Sequence, residues 1–436
     1  MDTDLFQEDE PSLFERLCNP FWLGLGYADV KANHGAPGVD GVTVARFGND
    51  LDEELSRLSQ ELESWTYKPQ PVRRVEIDKP DGGVRLLGIP CLRDRVVQAT
   101  LKRLLEPILT PSFSDHSFGF IPGRNQEQAV QEAQRIVANG KTWVVDLDLA
   151  QFFDRVHHDR LIARLGRQID DKRILRLIGL SLRSGVMKDG LISPTPEGTV
   201  QGSPLSPLLS NVVLDELDKE LESRGLAFCR FADDCNIFVN SRKAAERVMS
   251  SMTRFIEKQL KLTVNQDKSQ VAPSEQVTFL GLTIVHGHVA ISAKSMRRAM
   301  QKVKELTPRG THLSLGDTIA VINRWYRGWS AYYSLTQYPA QLHKIEAHIR
   351  RRLRARLVDQ QKSRRHLFRA LIRRDVPRYL AAHTAFSHHR RWALSHTPAV
   401  ERAFPNRWFI REMGQFIRST AKLTHWFDVR TWIRLV

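Results

Sequence analysis

The residues best placed to do chemistry in this chain are two adjacent aspartates, Asp233 and Asp234, in the apolar run "FCRFADDCNIFVN" (228–240). Phe228, Phe231, Ile237, Phe238 and Val239 favour β-structure and burial. Two carboxylates in that setting repel each other and lose hydration, so they need compensation. Magnesium would supply it, since it prefers hard oxygen ligands and binds one or two carboxylates together with phosphates. A second apolar strand, "VVDLDLAQFFD" (144–154), offers Asp146, Asp148 and Asp154. Asp146 and Asp148 share strand parity and one face, whereas Asp154 falls near the helix expected to begin at Phe152. Acids from two strands around a pair of magnesium ions suit in-line phosphoryl transfer. One ion activates the attacking hydroxyl and the other neutralises the leaving pyrophosphate.

Such a reaction also needs cations for the triphosphate. "VRRVEIDKPDGGVRLLGIP" (72–90) reads as two strands around a Pro-Asp-Gly-Gly turn. Arg73, Lys79 and Arg85 are spaced at intervals of six, compatible with one face, and the turn folds Lys79 towards Arg85. Together they would clamp phosphates.

The surrounding pattern predicts the elements that hold these groups. Residues 1–32 read as short helices, "NHGAPGVDGVTV" (33–44) as a loop, and 47–65 as a helix with Leu51, Leu55, Leu58 and Leu62 in phase. Further helices are expected at 92–108 and 124–139, after Pro204, and at 242–260. Strands are expected near 270–272, 277–285 and 288–292. From Ala293 the texture is helical, at 293–306, 314–335 and 340–360. In "NRWYRGWSAYYSL" (323–335) the stripe Trp325, Trp329 and Tyr332 would pack a core and leave Arg324 and Arg327 outside.

The chain has 436 residues and a net charge of +16, distributed unevenly. Residues 293–436 hold 30 Lys and Arg against 8 Asp and Glu, and the remainder holds 35 against 41. This asymmetry points to a polyanion-binding C-terminal third. "HIRRRLRARL" (348–357) packs five arginines into ten residues, a density that self-repels without phosphates nearby. Cys18, Cys91, Cys229 and Cys235 form no C-x-x-C pair, which argues against an all-cysteine zinc site and for a reducing, cytoplasmic location. No apolar run reaches membrane-spanning length, and the acidic N-terminus resembles no leader.

"FADD" in an apolar hairpin resembles the signature of reverse transcriptases. "DLAQFFD", "TVQGSPLSPLLSN", "LTVNQDKSQV" and "VTFLGLTI" follow that family's order. "GAPGVDG", "KPDGGVRLLGIPCLRDRVVQ", "FSDHSFGFIPGR" and "INRWYRGWSAYYSL" narrow the resemblance to bacterial group II intron reverse transcriptase/maturases. The match runs from about 30 to about 410 and is nearest the short class without an endonuclease domain. Departures are Phe231 for the commoner Tyr, Ile121 for Arg, Ser203 for Gly and Asp78 for Pro.

The resemblance implies an α+β right-hand polymerase. It places an N-terminal extension and fingers at 1–145, a palm with an antiparallel sheet and packed helices at 146–292, a helical thumb at 293–363, and a small basic domain at 364–436. It makes Asp148 the first catalytic acid, with Asp233 and Asp234, and adds the Leu149 carbonyl as a metal ligand. Phe153 would abut the sugar and exclude a 2′-hydroxyl; Gln201, Gly202 and Lys268 would face the nucleotide. Phe279, Leu280 and Gly281 would grip the primer, and "GAPGVDG" would contact template. Arg324, Arg327, Arg350, Arg351, Arg352 and Arg354 would contact nucleic acid. The implied activity is RNA-directed DNA synthesis with two Mg2+ ions, or Mn2+ in their place. Implied partners are an RNA template, a DNA or RNA primer, dNTPs, a folded intron RNA and target DNA, for splicing and retrotransposition. The alternatives are a host-adapted relative in repair or defence without an intron, and an RNA-binding splicing cofactor with an idle polymerase.

Overall fold

In the computed structural model, residues 10–78, 82–188, 191–193 and 197–418 are described, so Lys79 lies outside the described residues. The chain forms two compact units, residues 1–273 and 274–436.

The first unit holds two four-stranded sheets. One contains β1 (Val72–Asp78), β2 (Val84–Ile89), β4 (Val186–Lys188) and β5 (Leu191–Ser193) in the order β2-β1-β4-β5. The other contains β3 (Trp143–Leu147), β6 (Ala227–Phe231), β7 (Asp234–Val239) and β8 (Gln270–Pro273) in the order β6-β7-β3-β8, with every neighbour antiparallel. β3 is covered on both faces, which is why Val144, Val145 and Leu147 are all buried rather than alternating. Helix Gln126–Ala138 opens on a capping box between Asn125 and Gln128 and packs on β6. Helices Ser206–Ser223 and Arg242–Phe255 pack against β6 and β3 respectively.

The second unit pairs β9 (Leu282–Val285) with β10 (His288–Ile291) and is otherwise helical. Its long helices are Ala293–Leu306, Leu315–Tyr332 and Pro339–Asp359, followed by Arg364–Ile372, Arg378–Ala385 and shorter turns of helix. No described helix is long and apolar enough to cross a membrane.

Several expected elements differ. The 47–65 helix breaks at Asp50, whose backbone leaves the helical region, into Val44–Asn49 and Leu51–Glu63. After β3 a left-handed Gln151 leads only into a 3-10 turn, Phe152–Arg155, and the helix starts at His158. The β4–β5 hairpin has no counterpart in the sequence reading. The strand expected at 277–285 is regular only from Leu282. In helix Leu315–Tyr332 the buried stripe is Ile319, Ile322, Tyr326 and Ser330. Trp325 and Trp329 are half-buried and Tyr332 is exposed, so the expected aromatic stripe is not the core face.

Candidate active site

β6 and β7 pair with Phe231 opposite Asp234, leaving Ala232 and Asp233 as a two-residue turn. Ala232 is left-handed at φ 58°, a conformation that costs a residue with a Cβ roughly 1–2 kcal/mol. Arg230 holds it there. This fully buried side chain binds Asp218 through Nε (2.7 Å) and Nη2 (2.5 Å), and its Nη1 donates to the Ala232 carbonyl at 2.8 Å and to Asn211 Oδ1 at 3.1 Å. Asn211 and Asp218 stand seven residues apart on helix Ser206–Ser223, hence on one face. Burial works against the charge on Arg230, but the Asp218 carboxylate outweighs it and holds the guanidinium above its ordinary range.

A wall behind the turn comes from "FSDHSFGFIPGR". Ser117 bridges Arg230 in parallel; the Arg230 N–H donates to the His116 carbonyl and the Phe118 N–H to the Arg230 carbonyl, both at 2.9 Å. Asn211 Nδ2 donates to the Gly119 carbonyl at 2.9 Å. A Cβ on Gly119 would lie 2.3 Å from the Ala232 nitrogen, so only glycine lets the backbones approach this closely. Arg124 ties the segment by donating to the Ser114 and Ser117 carbonyls. Ile121, at the position where the family resemblance expects Arg, is buried in the apolar core.

Asp148 comes from the end of β3. Its N–H donates to Ser269 Oγ (3.0 Å) and its carbonyl accepts from the Asn265 N–H (2.8 Å). The next bond runs from the Ala150 N–H to the Thr263 carbonyl at 2.8 Å. This alternation turns the Leu149 carbonyl away from segment 263–265, towards the side of β7. Burial raises the Asp233 carboxyl above its ordinary value, its own backbone N–H opposes this, and the charge of Asp148 raises it further. Arg85 and Arg230 pull it down. Lys268 Nζ stands 3.7 Å from Asp148 Oδ2. Burial pushes Asp146 up to about 6, against a hydrogen bond from Gln270 Nε2 at 3.2 Å, and Asp148 adds to the rise. Asp234 opens β7, half-buried, and Asp154 is exposed on the 3-10 turn.

Among the described residues no three His, Cys, Asp or Glu side chains gather closely enough to hold a metal alone. The Asp233 carboxyl, with the Asp148 charge acting on it and the Lys268 ammonium beside Asp148, nevertheless belongs to a donor set suited to a hard divalent ion. Phosphate and water would complete the shell.

On the β1–β2 hairpin, Ile77 faces Arg85 and Arg73 faces Ile89, which puts Arg73 and Arg85 on one sheet face. The Gly88 N–H donates to the Gln201 carbonyl at 2.8 Å, joining β2 to "TVQGSP". Gly202 has φ 118°, and a Cβ there would meet the Gly88 carbonyl at 2.6 Å. The Phe153 carbonyl accepts from the Thr199 N–H, and the Phe153 ring is half-buried against Phe152 at 5.3 Å. Ser203 donates to Gln98 Oε1 at 2.9 Å in the interior. The opposite hairpin face, with Arg74, Leu86 and Gly88, lines a cavity of about 380 Å³ shared with Gln151, Asp154 and Gln201. Arg74 was not singled out from sequence; its strand parity, opposite to Arg73, was the available signal.

In the second unit Phe279 and Leu282 exchange both backbone hydrogen bonds at 2.9 Å around Leu280 and Gly281, which have φ of 51° and 78°. Tyr332 Oη donates to the Leu280 carbonyl (3.1 Å) and Ser295 Oγ to the Gly281 carbonyl (2.8 Å). The tyrosines of "SAYYSL" thus brace this turn. Arg324 and Arg327 are exposed, Arg327 lying 5.2 Å over the Phe416 ring. The dense arginine run is less available than expected. Arg354 is buried and donates to the Phe404 carbonyl and Asn406, Arg352 donates to Thr307, and Arg356 donates to Thr318 and Leu313. Arg350 is buried too, and Arg351 is half-buried.

This arrangement, an acid pair on an antiparallel sheet with a basic hairpin in electrostatic reach, is that of a nucleotidyl-transferring polymerase. The family described as reverse transcriptase (RNA-dependent DNA polymerase) matches residues 77–284, and the maturase-specific domain of group II introns matches 296–374. Protein YkfC of Escherichia coli K12 is 33% identical over 334 residues, covering 67% of this chain and 86% of YkfC. Group II intron-encoded protein LtrA of Lactococcus lactis subsp. cremoris is 35% identical over 208 residues, 48% of this chain but only 34% of LtrA. Retron Mx65 reverse transcriptase of Myxococcus xanthus is 33% identical over 206 residues, 45% of this chain and 46% of that protein. The chain belongs to the group II intron reverse transcriptase/maturase family, whose polymerase domain is RNA-directed and generally depends on a divalent metal.

Proposed function

We propose that the chain extends a primer with dNTPs on an RNA template, with Asp148 and Asp233 as the metal-binding acids and Asp234 completing the set. The observation that carries this is the charge of Asp148, at the end of β3, acting on the Asp233 carboxyl in the β6–β7 turn, with Arg85 also near enough to act on Asp233. Two Mg2+ ions, or Mn2+ in their place, would supply activation of the primer 3′-hydroxyl and neutralisation of the departing pyrophosphate. The Leu149 carbonyl adds an oxygen ligand beside the acids, and Lys268 holds Asp148 until a divalent ion displaces it. Arg73, Arg85 and Lys79 bind the triphosphate, while Gln201 and Gly202 lie against the new base pair. Phe153 excludes a ribose 2′-hydroxyl, and Phe279, Leu280 and Gly281 hold the primer end. Positioning and charge neutralisation account for most of the catalysis in such a site.

Fingers would lie within 1–145, palm within 146–292, thumb at 293–363 and the basic tail at 364–436. The basic second unit, through Arg324, Arg327, Arg350, Arg351 and Arg352, binds RNA: a folded group II intron whose splicing and retrotransposition it assists, in a bacterial cytoplasm. The test is primer extension by the full chain on an RNA template with Mg2+, beside Asp233→Ala. Extension by the wild type alone is expected; none by the wild type, or equal extension by both, overturns the reading. Flanking DNA without a foldable intron RNA would remove the intron part and leave the polymerase.

A further inference from the structure

The second unit contains two adjoining basic cavities, the first between helices Ala293–Leu306 and Pro339–Asp359 and the second between Pro339–Asp359 and residues 396–406. The first, of about 420 Å³, has an apolar floor of Met296 and Met300, the indole of Trp392 at one side, and Arg297, Lys304 and Arg352 around it. No carboxylate is among its described lining residues. The second, of about 350 Å³, shares Met300, Lys344 and His348 with the first and opens onto Arg350 and Arg351. Its carboxylate, Glu401, faces His396 Nδ1 at 2.7 Å.

We propose that these cavities receive two successive unstacked nucleotides of a single-stranded nucleic acid, one base against Trp392 and the phosphate between them on Lys344 and Arg351. This deepens the RNA-binding reading above and rests on it. Each cavity, at about 420 and 350 Å³, matches a single nucleotide better than a base pair, which suits a single-stranded form. The Arg351 guanidinium lies 4.2 Å from the Trp392 ring centre and the His348 ring 5.9 Å from it. His348 meets the indole edge-on, and Trp392 remains 37% exposed, so its ring is reachable by a stacking base. Arg352 is pre-set by its bonds to Thr307, 2.8 Å to Oγ1 and 2.6 Å to the carbonyl. Arg350, which lines the second cavity, is only 8% exposed, and its Nε is buried without a hydrogen-bond partner. Burial, and then Arg352 and Arg351, hold His348 below the ordinary histidine range. At neutral pH it therefore offers one donor and one acceptor to a base edge.

The experiment measures binding of the full chain to a 12-nucleotide single-stranded RNA, its DNA counterpart and the matching RNA duplex. Trp392→Leu removes the stacking ring and Met300→Trp fills the floor, and neither changes charge. Trp392→Leu is expected to weaken single-strand binding about 5- to 150-fold, the loss that removing one stacking aromatic gives, and Met300→Trp to weaken it at least about 5-fold by occupying the base's space, with duplex binding and the salt slope unchanged in both. The RNA and DNA arms show which strand supplies the nucleotides. In the wild type, which needs no variant to fold, a 4-thiouridine-bearing 12-mer should crosslink to the peptides carrying Met300, His348 or Trp392. Unchanged single-strand affinity in both variants, equal losses for strand and duplex, or crosslinks confined to other peptides would overturn the pocket. A wild type that binds none of the three probes would instead overturn the RNA-binding reading itself.

Discussion

Replacing Arg230 with Met should damage stability and chemistry by separable routes. The substitution leaves Asp218, 0% exposed, as a buried carboxylate without its cation, and breaking such a pair by removing one partner costs about 3–5 kcal/mol. For a unit of this size that corresponds to a fall of roughly 10 °C in the melting transition. Two other acceptors, the Ala232 carbonyl and Asn211 Oδ1, lose a donor. The first of these matters to chemistry, because it fixes the left-handed residue immediately before Asp233. Removing Asp218 as well, in Arg230→Met with Asp218→Leu, eliminates the uncompensated charge and should restore the melt to within about 2 kcal/mol of the wild type, since apolar replacement of a buried pair is often neutral. The turn, however, remains unpinned. A misplacement of even 1 Å can cost about 100-fold, so single-turnover nucleotide addition should stay depressed in the double variant. Thermal melts and single-turnover rates on the same preparations decide the matter. A wild-type melt for Arg230→Met, or a double variant that recovers rate together with stability, would refute the claim that this arginine positions the catalytic turn.

Three further outcomes are expected. Asp146 has its folded carboxyl raised to about 6, so its protonated form favours the fold, and stability should decline as pH rises from about 4 to 6. Asp146→Asn should flatten that slope in metal-free melts and raise the unfolding free energy at pH 7 by at most about 3 kcal/mol. Gly202→Ala drives a Cβ against the Gly88 carbonyl at unfavourable φ, so it should weaken dNTP use by at least about 10-fold, read as kcat/KM at fixed primer-template. Phe153→Ala should raise ribonucleotide incorporation relative to deoxyribonucleotide, measured by competition on one template; unchanged discrimination would remove the ring from the sugar site.

The proposed acid centre stood out because carboxylates are anomalous in apolar strands, and strand parity already linked Asp146 with Asp148. Its support was not. Arg230 reads as one polar residue in a strand, and its partners Asn211 and Asp218 lie on a helix where polar residues are ordinary. Their convergence exists only once Ser206–Ser223 packs on β6. The β4–β5 hairpin escaped notice for a similar reason: β4 pairs in parallel with β1, more than a hundred residues away. In the Trp- and Tyr-rich helix two apolar stripes overlap, and its neighbours select Ile319, Ile322 and Tyr326 over Trp325 and Trp329. Charge density correctly signalled a basic second unit, but it could not show that Arg354 and Arg356 bind backbone and side-chain oxygens of their own chain. For that reason deleting residues 364–436 would strip the fold of Phe404 and Phe409 as well as charge, and point substitutions are the sounder probe.

The central claim is that Asp148 and Asp233 act as one catalytic centre. Its most direct test is single-turnover addition of one dNTP to a primer on an RNA template with Mg2+, comparing wild type, Asp148→Asn, Asp233→Asn and the double variant. The account predicts losses of at least about 1000-fold for each single variant and little further loss for the pair, because groups that act as a unit are not additive. A single variant that keeps the wild-type rate, or losses that multiply in the double variant, would contradict it.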